Sequence, residues 1–415
     1  MHDLKLLRED PDRLRAALKK RNSPATLDGL LGLEKTRREL LGQIEQQRHQ
    51  LKQESDAFAR QKTGPPPARL KTLSSQIKEQ QRQLKQTEER IAQELALVPN
   101  IPHDSLPVGD SRANQVVRTV GQKPVHRFTP RTHLELGQQR GLIDFERAAK
   151  ITGSHFPLFT GKGARLERAL INWMLDVHTK EHGYTEVFPP FLVNRASMFS
   201  TGQLPKFEED MYRLRDDDLF LVPTAEVPVT NLHRDEILEE RQLPIQYAAY
   251  TACFRREAGS YGKDTKGLVR VHQFDKVELV KFVKPETSYD ELERLVVNAE
   301  TILQCLGLHY RVVCLSTGDL SFAAAKCYDL EAWAPGLKQF LEVSSCSNFE
   351  AFQARRAAIR YRRADKKIDW VHTLNGSGVA LARTLVCLLE THQRADGSIA
   401  IPEPLRPYVD GEALL

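Results

Sequence analysis

The sequence has no run of about 18 apolar residues, so no membrane-spanning helix is expected. Its first residues, Met1-His2-Asp3-Leu4-Lys5, are charged within five positions and carry no apolar signal-peptide core, which makes the cytoplasm the expected compartment. Cysteine is scarce and one-sided: Cys253, Cys305, Cys314, Cys327, Cys346 and Cys387 all fall in the C-terminal half, and no two stand at C-x-x-C spacing. Neither a zinc site nor a secreted disulfide framework is therefore expected; reduced, structural thiols are. No G-x-G-x-x-G or G-x-x-x-x-G-K-[ST] opens a predicted helix, which argues against Rossmann and P-loop nucleotide sites. Charge of one sign is not in large excess either. A net charge of +5 and a pI near 8.8 are too mild to mark a nucleic-acid binder without knowing where the basic residues lie.

What the chain does have is length and a change of character along it. Its 415 residues exceed one ordinary domain and suit a large domain with an appendage. Between residues 27 and 98 glycine nearly disappears, and Gln, Glu, Lys and Arg dominate. Leu33, Leu40, Ile44, Leu51 and Phe58 recur at spacings of three, four or seven; Leu70, Leu73, Ile77, Leu84, Ile91, Leu95 and Val98 repeat the pattern. This spacing predicts two helices, each with a narrow apolar seam. Between them Thr63-Gly64-Pro65-Pro66-Pro67 cannot continue a helix, because proline lacks the N–H and clashes with the preceding turn. An antiparallel hairpin follows, with arms on the order of 45 Å long at 1.5 Å per residue.

Such a hairpin has too little core to be a compact domain. A dimerisation coiled coil, a spacer, or an arm that touches a phosphate backbone would each fit. Its polar faces carry Arg37, Arg38, Arg48, Lys52, Arg60, Lys62, Arg69, Lys71, Lys78, Arg82 and Lys85, nearly balanced by acids. Before it, Asp10-Pro11 reads as the N-cap and first residue of a short amphipathic helix. After it, Pro99-Asn100-Ile101-Pro102-His103 ends the second arm. Residues 1–103 are thus read as a helical-arm domain, 104–130 as a linker with short apolar stretches such as Val116-Val117, and 131–415 as a globular α+β domain.

In that last part a helix is predicted over 163–182, with Leu166, Leu170, Trp173, Met174 and Val177 on one face. Strand-like runs follow at 184–190, 219–222, 245–254, 269–282 and 310–315, and a final helix at 378–393. The runs 245–254 and 269–282, joined by a glycine-rich loop, suit antiparallel pairing. That hairpin, residues 254–278, holds three glycines in its loop and, beyond Arg255 at the strand end, three cationic residues, Arg256, Lys263 and Lys266. Arg255 at a strand end offers a rigid fork suited to a phosphate. Glu257, two residues on, is placed on the same side of the strand and could accept from an adenine amino group. Phe274 on the return strand offers a stacking face. An ordinary charged hairpin and a nucleotide site both fit these residues.

The same stretch resembles motif 2 of class II aminoacyl-tRNA synthetases, in the form characteristic of the seryl-tRNA synthetase family. The resemblance implies that Arg255 binds the α-phosphate and substrate carboxylate, Glu257 the adenine, and that Phe274 stacks on the adenine ring. Residues 183–190, after their long helix, resemble motif 1, which implies a homodimer. Asn375-Gly376-Ser377-Gly378-Val379-Ala380-Leu381-Ala382-Arg383 resembles motif 3, with Arg383 over the other adenine face and reaching the γ-phosphate. Glu342-Val343-Ser344-Ser345 matches the ATP segment, where Glu342 and Ser345 would hold Mg²⁺ through oxygen; Arg256 and Val271 complete the implied ATP set.

Thr224-Ala225-Glu226 matches the family's Thr-Ala-Glu segment, and Glu278 and Ser377 match the positions that contact the substrate side chain; Asn375 and Arg255 complete the implied serine set. A small pocket that rewards a hydroxyl penalises alanine by leaving polar groups unpaired. The resemblance runs from Asp3-Leu4-Lys5 to Pro407-Tyr408 and includes the helical arm, which it assigns to tRNA. It is of the bacterial, zinc-free type. The implied activity is the two-step joining of L-serine to tRNA(Ser), and also tRNA(Sec), with ATP as substrate. Arg255, Glu342 and Arg383 would act on the reacting phosphate. His155 stands where an arginine is expected. A carrier-protein loader would lack the arm; a specialised duplicate, such as one resistant to an antibiotic that mimics the serine adenylate, and a catalytically dead tRNA-binding paralogue are the alternatives.

Overall fold

The computed structural model describes residues 1–61, 68–258 and 267–415. These form two compact units, Met1–Pro99 and Asn100–Leu415. The first is helical. Helix α1 (Leu4–Glu9) is followed at once by α2 (Pro11–Lys20), whose start is set by Asp10: its carboxylate accepts from the Arg13 N–H, and Pro11 occupies the first turn. The long helices α3 (Asp28–Gln61) and α4 (Ala68–Leu95) run antiparallel, as the cross-pairs Arg37–Glu88, Gln43–Gln80 and Glu54–Arg69 require. The predicted turn at Thr63–Pro67 lies outside the described residues. Along the seam Leu30, Leu40, Ile44, Leu73, Ile77, Ile91 and Leu95 are buried, while Leu51, Phe58, Leu70 and Leu84 are only half-buried.

The second unit is α+β. In chain order it contains β1 (Gln115–Val120), α5 (His133–Gln139), α6 (Phe145–Thr152), α7 (Lys162–Lys180), β2 (Thr185–Glu186), β3 (Leu192–Asn194) and α8 (Arg195–Thr201). Then come β4 (Leu219–Leu221), α9 (Glu226–Thr230), β5 (Ile237–Glu239), β6 (Ile245–Phe254), β7 (Gln273–Val283) and α10 (Ser288–Cys305). The last are β8 (Tyr310–Cys314), β9 (Lys326–Ala334), β10 (Gln339–Asn348), α11 (Phe352–Ala357), β11 (Arg360–Arg362), β12 (Ile368–Trp370), β13 (His372–Ala380) and α12 (Leu381–Thr391).

Among the described residues eight strands make the main sheet, in the order β1-β8-β9-β10-β13-β7-β6-β2. Every pairing in it is antiparallel except β2 with β6, which is parallel. Segment 104–130, read as a linker, supplies β1, an edge strand paired with β8. Half-exposed Val116 and Val117 are what an edge position allows, and such a short apolar run gives little sequence signal. The return strand of the hairpin begins at Gln273, not at 269. Residues 267–272 leave the ladder: the Leu268 N–H donates to His133 Nε2 at 3.2 Å, and Gly267 takes a φ of +72° against the same ring.

Alternation along β7 and β13 decides what the sheet offers on each side. Val277 and Leu279 on β7 join the core that contains Leu170, Met174 and Val177 of α7. On β13, Gly376 packs under Leu295 of α10 and Gly378 under His178 of α7; a Cβ on Gly378 would stand 2.5 Å from His178 Nε2. The intervening residues, Phe274, Lys276, Asn375 and Ser377, line a cavity.

Candidate active site

The cavity, about 420 Å³, is walled by β7, β10, β13 and the segments that enter and leave the hairpin. At one end, Thr224 precedes α9 and its hydroxyl is fully used. It accepts from the Glu226 N–H (3.1 Å) and from Lys276 Nζ (2.9 Å), and donates to Glu278 Oε2 (3.1 Å). Lys276 and Glu278, two apart on β7 and both buried, are also ion-paired directly. Asn375 Nδ2 donates to Glu226 Oε2 (2.9 Å) and Glu278 Oε1 (3.2 Å), tying β13 to both acids. Its Oδ1 is buried with no hydrogen-bond partner among the described residues, so it stands as an acceptor for a donor from outside the protein. Burial pushes the Glu226 carboxyl up to about 7, helped by the charge of Glu278 and opposed by a hydrogen bond from Gln353 and the charges of Lys276 and Arg255.

Two expected residues are placed differently from the rest of the serine set. Ala225 is fully buried in the small core around α9, and the fully buried Glu278 lies behind Thr224, Lys276 and Asn375 instead of on the wall. Thr224, Glu226, Arg255, Asn375 and Ser377 do line the cavity.

At the middle of the cavity Arg255 leaves the end of β6. Its Nε donates to the Pro223 carbonyl (3.3 Å), and its guanidinium lies 5.2 Å from the centre of the Phe274 ring. Glu257 is not on the strand, which ends at Phe254. It takes a left-handed φ of +52° and is ion-paired with Arg270. Arg256 does not reach the cavity; its Nη1 donates to the Glu209 carbonyl (3.1 Å). Residues 259–266 of the hairpin loop lie outside the described residues.

At the far end Arg383, on α12, donates to the carbonyls of Val269 and Glu342 (both 3.0 Å) and lies 3.4 Å from the Glu342 carboxylate. Val271, Glu342, Val343, Ser344 and Ser345 share that wall. Ser344 Oγ donates to the Ser377 carbonyl (2.6 Å), joining the segment to β13. Beneath it, the Asp329 carboxyl is raised well above its usual range by burial and then by the charge of Glu342. The carboxylate of Glu342 and the hydroxyl of Ser345 share this wall, and carboxylate plus hydroxyl is a donor set suited to a hard divalent ion. His155 sits outside the cavity wall; its carbonyl accepts from the His272 N–H (2.9 Å) at the foot of the hairpin.

Lys276, Arg270 and Gln353 belong to this site although sequence reasoning passed them over. Lys276 had a signal: it lies two residues from Phe274 and two from Glu278, on the face both share. Gln353 had none, since α11 is 127 residues from Glu226 in the chain.

The description "tRNA synthetase class II core domain (G, H, P, S and T)" matches residues 206–392, and "Seryl-tRNA synthetase N-terminal domain" matches residues 1–102. The serine–tRNA ligase of Desulforapulum autotrophicum is 52% identical over 419 residues, covering 99% of this chain and 98% of that one. That of Pelotomaculum thermopropionicum is 55% identical over 417 residues, covering 99% of each. Among solved structures, the seryl-tRNA synthetase of Pyrococcus horikoshii complexed with ATP superposes with a TM-score of 0.94 at 37% identity, over 100% of this chain and 99% of that one.

Proposed function

The chain belongs to the seryl-tRNA synthetase family, and from that premise we propose that it activates L-serine with ATP and passes the seryl group to the 3′ end of tRNA(Ser), and of tRNA(Sec). The observation that carries the reading is the charge arrangement at the Thr224 end of the cavity. Lys276 neutralises Glu278, which leaves Glu226 as the carboxylate facing the cavity and Arg255 as the nearby cation. A zwitterion fits between them, its ammonium on Glu226 and its carboxylate on Arg255. Asn375 Oδ1, an unfilled acceptor, and Ser377 add the means to recognise a hydroxyl.

Activation needs little covalent chemistry from the protein. The serine carboxylate attacks the α-phosphorus of ATP and pyrophosphate leaves, so positioning and charge neutralisation supply most of the rate. Arg255 would grip the α-phosphate beside the serine carboxylate. Phe274 and Arg383 would sandwich the adenine, while Glu257 takes its amino group; Arg270, now paired with Glu257, is free to turn to phosphate once adenine replaces it. Glu342 and Ser345 would hold Mg²⁺, which when bound adds positive charge on the phosphate oxygens. In the second step the terminal ribose hydroxyl of the tRNA attacks the acyl carbon and AMP leaves. A second cavity shares Thr224, Glu226, Arg255, Glu257 and Arg270 but adds Asp210, Met211 and Pro223, without Phe274, Glu342 or Arg383; it would offer that hydroxyl a second approach to the Thr224 end.

The helical arm (residues 1–103 as a domain, with the catalytic part from 131) would bind the tRNA by shape and backbone. Arg37, Arg38, Arg69 and Arg82 are spent on intramolecular acids. Lys71, Lys78 and Lys85 are exposed, make no ion pair among the described residues, and repeat every seven residues on one stripe of α4. With Arg48 and Lys52 on α3, which are also exposed and make no ion pair among the described residues, they are the arm's proposed phosphate contacts. Residues 183–190 would form the homodimer contact, and the cytoplasm is the proposed compartment; no described helix is long and apolar enough to cross a membrane. Pyrophosphate exchange across the amino acids tests the reading: exchange with serine alone supports it, and exchange with another amino acid in its place, or none, overturns it.

A further inference from the structure

We propose that Gln353, locked by Thr373, is a positioning residue for serine: it keeps the Glu226 carboxylate ionised and aimed at the substrate ammonium. The proposal rests on the serine-activating reading above and adds to it a residue that never touches substrate.

Gln353 is fully buried at the start of α11. Its Nε2 donates to Glu226 Oε1 (2.6 Å) and to the Thr201 carbonyl (3.2 Å), while Thr373 Oγ1 donates to its Oε1 (2.7 Å). The amide has one acceptable orientation. A carbonyl and a carboxylate can only accept, so the NH₂ must face Thr201 and Glu226, and the carbonyl end is left for the Thr373 hydroxyl. Thr373 lies on β13, two residues before Asn375, which holds the other oxygen of Glu226. Each oxygen of Glu226 is thus fixed by a neutral amide, and both amides are anchored to one strand. The charged or titratable groups that face Glu226 are Glu278 and Lys276 from β7 and Arg255 from the end of β6. Since Lys276 is taken by Glu278, the Gln353 hydrogen bond is the main contact that favours the ionised form from behind. With the carboxyl at about 7, about half of it is charged at neutral pH, so a small loss of support has a measurable effect.

The test is pyrophosphate exchange with Gln353→Met and Gln353→Glu, with Thr373→Val and Thr373→Ser beside them. Loss of one hydrogen bond to a charged group raises the carboxyl by roughly one pH unit. The serine KM of Gln353→Met then rises about fivefold at pH 7, and the gap closes to less than about 1.5-fold at pH 8.5, as follows from the ionised fractions. The ATP KM and kcat at saturating serine stay near wild type. Thr373→Val shows the same pH-dependent rise, and Thr373→Ser, which keeps the hydroxyl, restores the wild-type value. Gln353→Glu sets a second carboxyl against Glu226 and raises it further, so its serine KM at pH 7 exceeds that of Gln353→Met. A rise that is equal at every pH, or that appears equally in the ATP KM, means a packing role and overturns the proposal, as does an unchanged serine KM. Should Gln353→Met not fold, the Thr373 pair decides by the same criteria. Wild-type protein without serine-dependent exchange overturns the serine reading itself, and the proposal with it.

Discussion

The pair Lys276–Glu278 allows the sharpest test of how this pocket is built. Both side chains are buried, Glu278 fully, and they are ion-paired with each other. Lys276→Met would leave Glu278 a buried charge supported only by the Thr224 hydroxyl and the Asn375 amide, with the Glu226 carboxyl close by. Breaking a buried pair by removing one partner costs about 3–5 kcal/mol. The unit spanning residues 100–415 has an unfolding entropy near 0.65 kcal/mol/K, at about 2.1 cal/mol/K per residue, so its Tm should fall by about 5–8 °C. Glu278→Gln should cost a similar amount, because it strands the ammonium.

The double variant Lys276→Met/Glu278→Gln removes both charges and keeps an amide for Thr224 and Asn375. It should recover to within about 1–2 kcal/mol of wild type, since a buried ion pair is worth little against a neutral replacement. Calorimetry on the three variants gives the coupling, expected at more than 3 kcal/mol. Serine-dependent exchange should be lost in all three, because stability and the serine site use the same atoms for different ends. Losses that add to within about 0.5 kcal/mol would show that the two residues do not interact and refute the account of the pocket.

Arg255→Ala should abolish exchange while the Tm moves by less than about 2 °C, since among the described residues the guanidinium makes a single 3.3 Å hydrogen bond and meets one aromatic face; calorimetry alongside exchange checks both halves. Lys71→Glu/Lys78→Glu/Lys85→Glu should leave exchange untouched and weaken tRNA binding, with the slope of log K against log salt reduced by about 2–3. Removing residues 27–98 should likewise spare adenylation and abolish charging, and full charging by that variant would refute the arm's role. Burial holds His178 at about 4 against its usual 6.5, with its Nε2 bonded to the Gly378 carbonyl at 2.9 Å. The unfolded chain therefore takes up this proton first, and stability falls as pH drops from about 6.5 to about 4, then levels. His178→Gln, which can still donate to that carbonyl, should flatten that acid limb in pH-dependent denaturation.

Helical periodicity carried the hairpin and α7 into view because a seam at regular spacing is written in consecutive residues. Leu166, Leu170, Trp173, Met174 and Val177 are all buried, and Leu40, Ile44, Ile77 and Ile91 are buried in the seam of the arm. The same logic fails for β1, which lies in the segment read as a linker and is fixed by the strand it meets, and the strand expected over 184–190 is paired only at Thr185–Glu186. Glu257 shows a different limit. Two-residue alternation holds only on a strand, and the chain leaves the strand at Phe254, so a positive φ and Arg270 orient the carboxylate instead.

The serine end of the cavity shows why motif reading finds the wall of a site before its frame. Thr224, Glu226, Asn375 and Ser377 fall in short recognisable strings, whereas what fixes their protonation and direction comes from elsewhere in the chain. Gln353 on α11 and Thr373 on β13 meet Glu226 only because the fold brings α9, α11 and β13 together. Glu278 reverses the lesson: the string identified it, yet its carboxylate is fully buried and held by Lys276, a residue from the same strand face. With Glu278 neutralised from within, the proposed reading gives the substrate ammonium to Glu226, whose carboxyl burial pushes up to about 7. Discrimination and pH sensitivity then share one cause. A pocket dry enough to penalise a missing hydroxyl is also dry enough to raise its own carboxylate, so neither property can be engineered without moving the other.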